Sequence, residues 1–148
     1  MSNIKKPAFS GIFPVEVNWK SPSKKEFKVL QDSLDLKSIS SIQKKYDSSS
    51  KFLVGYYKLI TDKSYFFKVV GDSDSKNQLN GELISKWLAK AGVSVNSALP
   101  NYPKKIKQHN LWVFLYEYIE HEFFDGSEQS IYCIGKELGK MHKVMKNY

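Results

Sequence analysis

The chain contains a single cysteine, Cys133, in 148 residues, so no intramolecular disulfide can hold it together. That fits a reducing compartment, and the expected location is cytoplasmic. Long apolar runs are also missing. Each is interrupted short of the roughly 18 residues that a membrane span needs, and the polar start at Met1–Lys6 is followed by no apolar signal segment. Neither a membrane partner nor export is expected. Acidic residues are the scarcer charge, 15 against 23 basic ones, which gives a net charge of +8 and a pI near 9.4. Such an excess draws polyanions, whether nucleic acid or phosphate ligands. The lysines nevertheless come as scattered pairs (Lys5-Lys6, Lys24-Lys25, Lys44-Lys45, Lys104-Lys105), a pattern that also describes a solvated basic surface. His109 and His142 stand apart from any Cys, Asp or Glu at metal-ligand spacing, so no metal site built from protein ligands alone is expected.

What is present is 41% hydrophobic and 14% aromatic sequence, the composition of one folded domain with a real core. Residues 1–20 carry Pro7, Gly11 and Pro14 without a clean period and read as an arm. Ser21 and Pro22 suit an N-cap and a first helical position, and Phe27, Leu30 and Leu34 recur at helical spacing through Leu36. From Ser38 to Val70 the period shortens to that of strands: Ile39 to Tyr46, Phe52 to Ile60, and Ser64 to Val70 after a tight turn at Thr61-Asp62-Lys63. Gly71 to Ser75 reads as a loop. Lys76 to Gly92 reads as a helix with the stripe Leu79, Leu83, Ile84, Trp87, Leu88 and Ala91, ended by Gly92. A short strand is expected near Ile106 and a buried one over Leu111–Ile119. Ile131, Ile134, Leu138, Met141 and Met145 space out a final helix. The expected fold is α+β: a twisted, mostly antiparallel sheet of about five strands with one helix packed across it, plus an N-terminal and a C-terminal helix.

Three segments carry chemistry. Tyr65-Phe66-Phe67-Lys68-Val69-Val70 sets one lysine in an apolar strand, where an unpaired buried ammonium would cost several kcal/mol. Leu115-Tyr116-Glu117-Tyr118-Ile119-Glu120 follows a buried strand. Leu138-Gly139-Lys140-Met141-His142 lies in the last helix. In that order they resemble the smaller, nucleotide-binding lobe of the aminoglycoside phosphotransferase and choline kinase-like family, which has the protein-kinase-like fold. The resemblance covers roughly residues 22–146, with residues 21–120 as the lobe and 121–148 as the interlobe segment and first helix of an otherwise absent C-terminal lobe.

The resemblance implies ATP as cofactor. Lys68 would contact the α- and β-phosphates, with Glu82 on the following helix as its partner. At about 100° per residue Glu82 falls nearly opposite the apolar stripe, so it reaches the lysine through a distorted helix or else is solvated. Ser48, Ser49 and Ser50 occupy the place of the phosphate-covering loop, with no glycine and with Asp47 beside them. The Glu117 carbonyl and the Ile119 amide would read the adenine edge, with Tyr116 at the back of the slot. Magnesium is expected with the nucleotide, but the His-Gly-Asp segment, its asparagine and the later metal-binding aspartate have no counterpart here, so no catalytic residue is named and this chain alone is expected to be inactive. Residues 128–146 would meet a separate C-terminal lobe or a second copy of the chain. The alternatives are a non-catalytic basic module that binds nucleic acid or another polyanion through the lysine pairs with Tyr46, Tyr56 and Tyr57, and a pseudokinase-type protein-interaction domain.

Overall fold

The computed structural model describes residues 18–34, 38–46, 48–119 and 126–148. In chain order its elements are β1 (Trp19–Lys20), α1 (Lys24–Ser33), β2 (Ser41–Lys45), β3 (Gly55–Ile60), β4 (Ser64–Gly71), α2 (Asp72–Lys90), β5 (Lys104–Ile106), a 3-10 turn at Lys107–His109, β6 (Leu111–Glu117) and α3 (Glu128–Met145). The fold is α+β, with an open sheet of six antiparallel strands in the order β1-β2-β3-β4-β6-β5. One compact unit, Asn18–Ile119, holds the sheet with α1 and α2, and α3 belongs to a second unit.

The extra strand comes from the stretch expected to be an arm. Trp19 and Lys20 pair with Lys45 and Lys44, so backbone hydrogen bonding to the β2 edge orders residues that show no side-chain period. The start of α1 is also corrected. Ser23, not Ser21, is its N-cap, because Glu26 stands three residues on and completes a capping box: the Ser23 hydroxyl accepts from Glu26 N at 3.2 Å and Glu26 Oε2 accepts from Ser23 N at 3.1 Å. The helix ends at Ser33, and Leu36 lies outside the described residues.

Alternation along the strands divides the sheet into two faces. Ile42, Tyr57, Leu59, Phe67, Val69, Val113 and Leu115 share one, and they form a buried core with Leu30 and Leu34 of α1. Lys68 and its cross-strand neighbours Tyr56 and Phe114 share the other. There β4 runs directly into α2 at Gly71, with no loop over 71–75. Asp72 and Asp74 fill the first turn, where carboxylates complement the helix dipole, and Ser75 Oγ donates to Asp72 O at 2.7 Å. Asp72 Oδ1 also accepts from Trp112 Nε1 at 2.9 Å and pairs with Lys105 at 3.2 Å. At its other end α2 stops as the sequence indicated, with Gly92 at φ +81°. In the second unit α3 starts at the N-cap Ser127 and carries Ile131, Ile134, Leu138 and Met145 exposed along its length, with Cys133 also exposed. No helix of the described residues is long and apolar enough to cross a membrane.

Candidate functional site

Lys68 lies in the middle of β4 on the α2 face and is half-buried. Its Nζ donates to Gln78 Oε1 of α2 at 2.6 Å and lies 5.6 Å from the centre of the Tyr56 ring. Gln78 passes the contact on: its Nε2 donates to Glu82 Oε1 at 3.4 Å and to the Tyr116 hydroxyl at 3.3 Å. Tyr116 in turn donates its hydroxyl to Glu82 Oε1, and Ala98 N donates to Glu82 Oε2 at 2.8 Å. The lysine and the glutamate singled out from the sequence are thus in one network, linked through Gln78 and not by a direct ion pair.

This reverses the helical-wheel expectation for α2. Glu82 is 5% exposed and Leu83, counted in the apolar stripe, is 63% exposed. A carboxylate can be buried when protein donors replace water, and Glu82 has a hydroxyl and a backbone N–H to do so. Burial and the adjacent Glu82 carboxylate push the Tyr116 hydroxyl well above its ordinary pKa, so it stays protonated and remains a donor.

Beside the network stands a row of rings. Phe66 stacks on Tyr56 with centroids 5.9 Å apart and meets Tyr116 at 6.1 Å, while Lys58 Nζ lies 4.4 Å from the centre of the Tyr118 ring. Tyr56 is 43% exposed. Tyr57, counted with it among polyanion-binding residues, is fully buried, its hydroxyl donating to Leu53 O at 2.7 Å. At the end of this face Asn96 Nδ2 donates to the Glu117 carbonyl at 3.3 Å, and Ile119 is exposed.

The connection from β2 to β3 lies at the same end of the sheet as Lys68, since Tyr56, the second residue of β3, pairs with it. Ser48, Ser49 and Ser50 are exposed in its turn, and Asp47 lies outside the described residues. The far arm of this connection is fixed by Glu26, which the sequence reading left aside, and by Lys44, which it counted in a solvated, polyanion-drawing lysine pair and which is instead buried. Lys44, on the core face of β2, is 1% exposed. Its Nζ pairs with Glu26 Oε1 at 2.7 Å and donates to Lys51 O at 2.6 Å, and Leu53 N donates to the same Glu26 oxygen at 2.9 Å. Phe52 lies against His109, with centroids 5.8 Å apart, and Lys25 Nζ sits 5.4 Å from its ring centre. Leu53 at φ +60° and Gly55 at φ +144° turn the chain into β3. At Gly55 a side chain would be strained by that φ, and its Cβ would stand 3.4 Å from Lys44 Cε. The signals for these contacts were local: Ser23-x-x-Glu26 is a capping-box pattern, and Ile42-x-Lys44 places the lysine on the apolar side of a strand.

Among the described residues no three or more His, Cys, Asp or Glu side chains gather as a metal site. No family model, curated protein or solved structure gives a significant match to the chain.

Proposed function

We propose that the Lys68 face binds a nucleoside triphosphate, and that the chain is the ATP-binding lobe of a small-molecule phosphotransferase of the aminoglycoside phosphotransferase type. The observation that carries this reading is the position of Lys68: on the strand that runs into α2, with its amine turned to the helix and joined through Gln78 to a buried glutamate. An ammonium held in this way neutralises phosphate oxygens without first having to be ordered. The exposed ring of Tyr56 and the part-buried Phe66 stacked beside it offer a base an apolar surface, with Tyr116 buried behind them. Ser48–Ser50 would supply hydroxyl and backbone donors above the phosphates, and magnesium would arrive with the nucleotide. The Glu117 carbonyl accepts from Asn96 and, with a second lone pair, can also meet an adenine amino group.

Calorimetric titration with ATP and magnesium tests this. Weak binding by the wild type and none by Lys68→Ala is expected; equal affinity in the two proteins removes the proposal. A second reading, a polyanion-binding module, is favoured by the exposed Tyr56 beside Lys58 and Lys68. Steep salt dependence of single-strand binding with indifference to ATP would select it.

A further inference from the structure

We propose that Gln78 is the positioning residue of Lys68, and that by supplying a neutral partner it leaves the ammonium's charge available for an incoming phosphoryl oxyanion. The inference rests on the nucleotide-binding reading and goes further than it, since the resemblance implies a lysine in direct contact with a glutamate.

The network allows the Gln78 amide one orientation. Its oxygen must face the ammonium, which only donates, and its nitrogen must face the Glu82 carboxylate and the Tyr116 hydroxyl. Gln78 is therefore locked at both ends and holds Lys68 Nζ at 2.6 Å in a fixed place. Among the described residues Lys68 makes no ion pair, the described pairs being those of Lys44, Lys105 and Lys140. Glu82 is engaged elsewhere, one oxygen with Tyr116 and Gln78 and the other with Ala98 N. A carboxylate in contact with the ammonium would cancel most of its field, and a phosphate would have to share it or displace it. A neutral amide orients the cation without placing a carboxylate in direct contact with it, so more of its positive charge remains for a ligand. The ligand class that answers this is a polyanion with a compact oxyanion end, such as a triphosphate. It takes Lys68 through the ammonium's other N–H donors while the Gln78 contact holds and Glu82 and Tyr116 stay paired.

The test compares wild type, Gln78→Glu, Gln78→Met and Lys68→Met by titration with ATP and with inorganic tripolyphosphate at low and moderate salt. Thermal unfolding checks each fold. Gln78→Glu places a carboxylate on Lys68 and is expected to lower affinity at least about tenfold and to flatten the salt dependence. Gln78→Met keeps the charge but loses the anchor, so a loss of about threefold or more with the wild-type salt dependence is expected. A role confined to stability would not alter the salt dependence. If wild type binds and Lys68→Met does not, while both Gln78 variants match wild type, this inference is overturned and the nucleotide reading stands. If wild type binds neither probe, both fall. Should Gln78→Glu fail to fold, Gln78→Met decides: undiminished affinity overturns the positioning role.

Discussion

Replacing Glu26 with alanine removes four accepted hydrogen bonds with one side chain: those from Lys44 Nζ at 2.7 Å, Leu53 N at 2.9 Å, and Ser23 N and Oγ at 3.1 Å each. Lys44 then keeps its charge in the core with the Lys51 carbonyl as its hydrogen-bond partner. Breaking a buried ion pair by deleting one partner costs about 3–5 kcal/mol. The stranded Leu53 N–H adds about 1–3 kcal/mol. These contributions overlap, so the expected loss is roughly 4–6 kcal/mol, a large share of the 5–15 kcal/mol that holds a typical domain together. Urea unfolding at neutral pH followed by far-ultraviolet circular dichroism measures it, and urea leaves the ionic strength unchanged. Lys44→Met should cost less, because Glu26 keeps its bonds to Leu53 and Ser23. The double variant Glu26→Leu/Lys44→Met should be more stable than Glu26→Ala, since no lone buried charge remains. A loss below about 1 kcal/mol for Glu26→Ala, the range of an exposed pair, would refute the reasoning.

Two further outcomes follow from the same contacts. Burial alone would raise the Glu26 carboxyl, but the Lys44 hydrogen bond and the N–H groups of Leu53 and Ser23 outweigh it and hold the carboxyl below its ordinary 4.5. A lowered folded-state pKa contributes stability above that value and loses it as pH falls below, so wild type should lose stability more steeply below about pH 4.5 than Glu26→Leu/Lys44→Met; parallel urea midpoints for the two across that range would count against it. Tyr116→Phe keeps the ring and removes the hydroxyl donor from Glu82 Oε1, leaving it the longer Gln78 bond at 3.4 Å, with an expected cost of about 1–3 kcal/mol by the same unfolding assay. An unchanged midpoint would mean that Glu82 does not depend on that donor.

The parts of the fold that could be read in the sequence are those where side chains near one another in the chain share an environment. The aromatic and β-branched run Tyr65–Val70 carried the strand, and the one lysine set in it marked a residue that needs a partner or solvent; its face follows from the register with β3 and β6. The start of α1 offered two local signals, Pro22 after Ser21 and Glu26 after Ser23, and the second won because it satisfies two backbone or hydroxyl donors at once. Glu82 was misread because a wheel scores polarity and knows nothing of distant donors. Tyr116 lies 34 residues away in sequence and Ala98 lies 16 away, and only the folded sheet brings them to α2. Local patterns place Glu26 at a helix cap and Lys44 on the apolar side of a strand, but their pairing across 18 residues is visible only in the fold, so Lys44 was counted with the surface lysines. Gln78 could have been noticed one turn before Glu82, but only the position of Lys68 gives it a task.

The carboxylate that closes the first turn of α1 also grips the amide of Leu53, and Phe52 rests between Lys25 and His109. Helix and connection are therefore mechanically yoked. A molecule that lifts residues 51–53 must either draw the head of α1 along or break the bond from Leu53 N to the carboxylate that caps it.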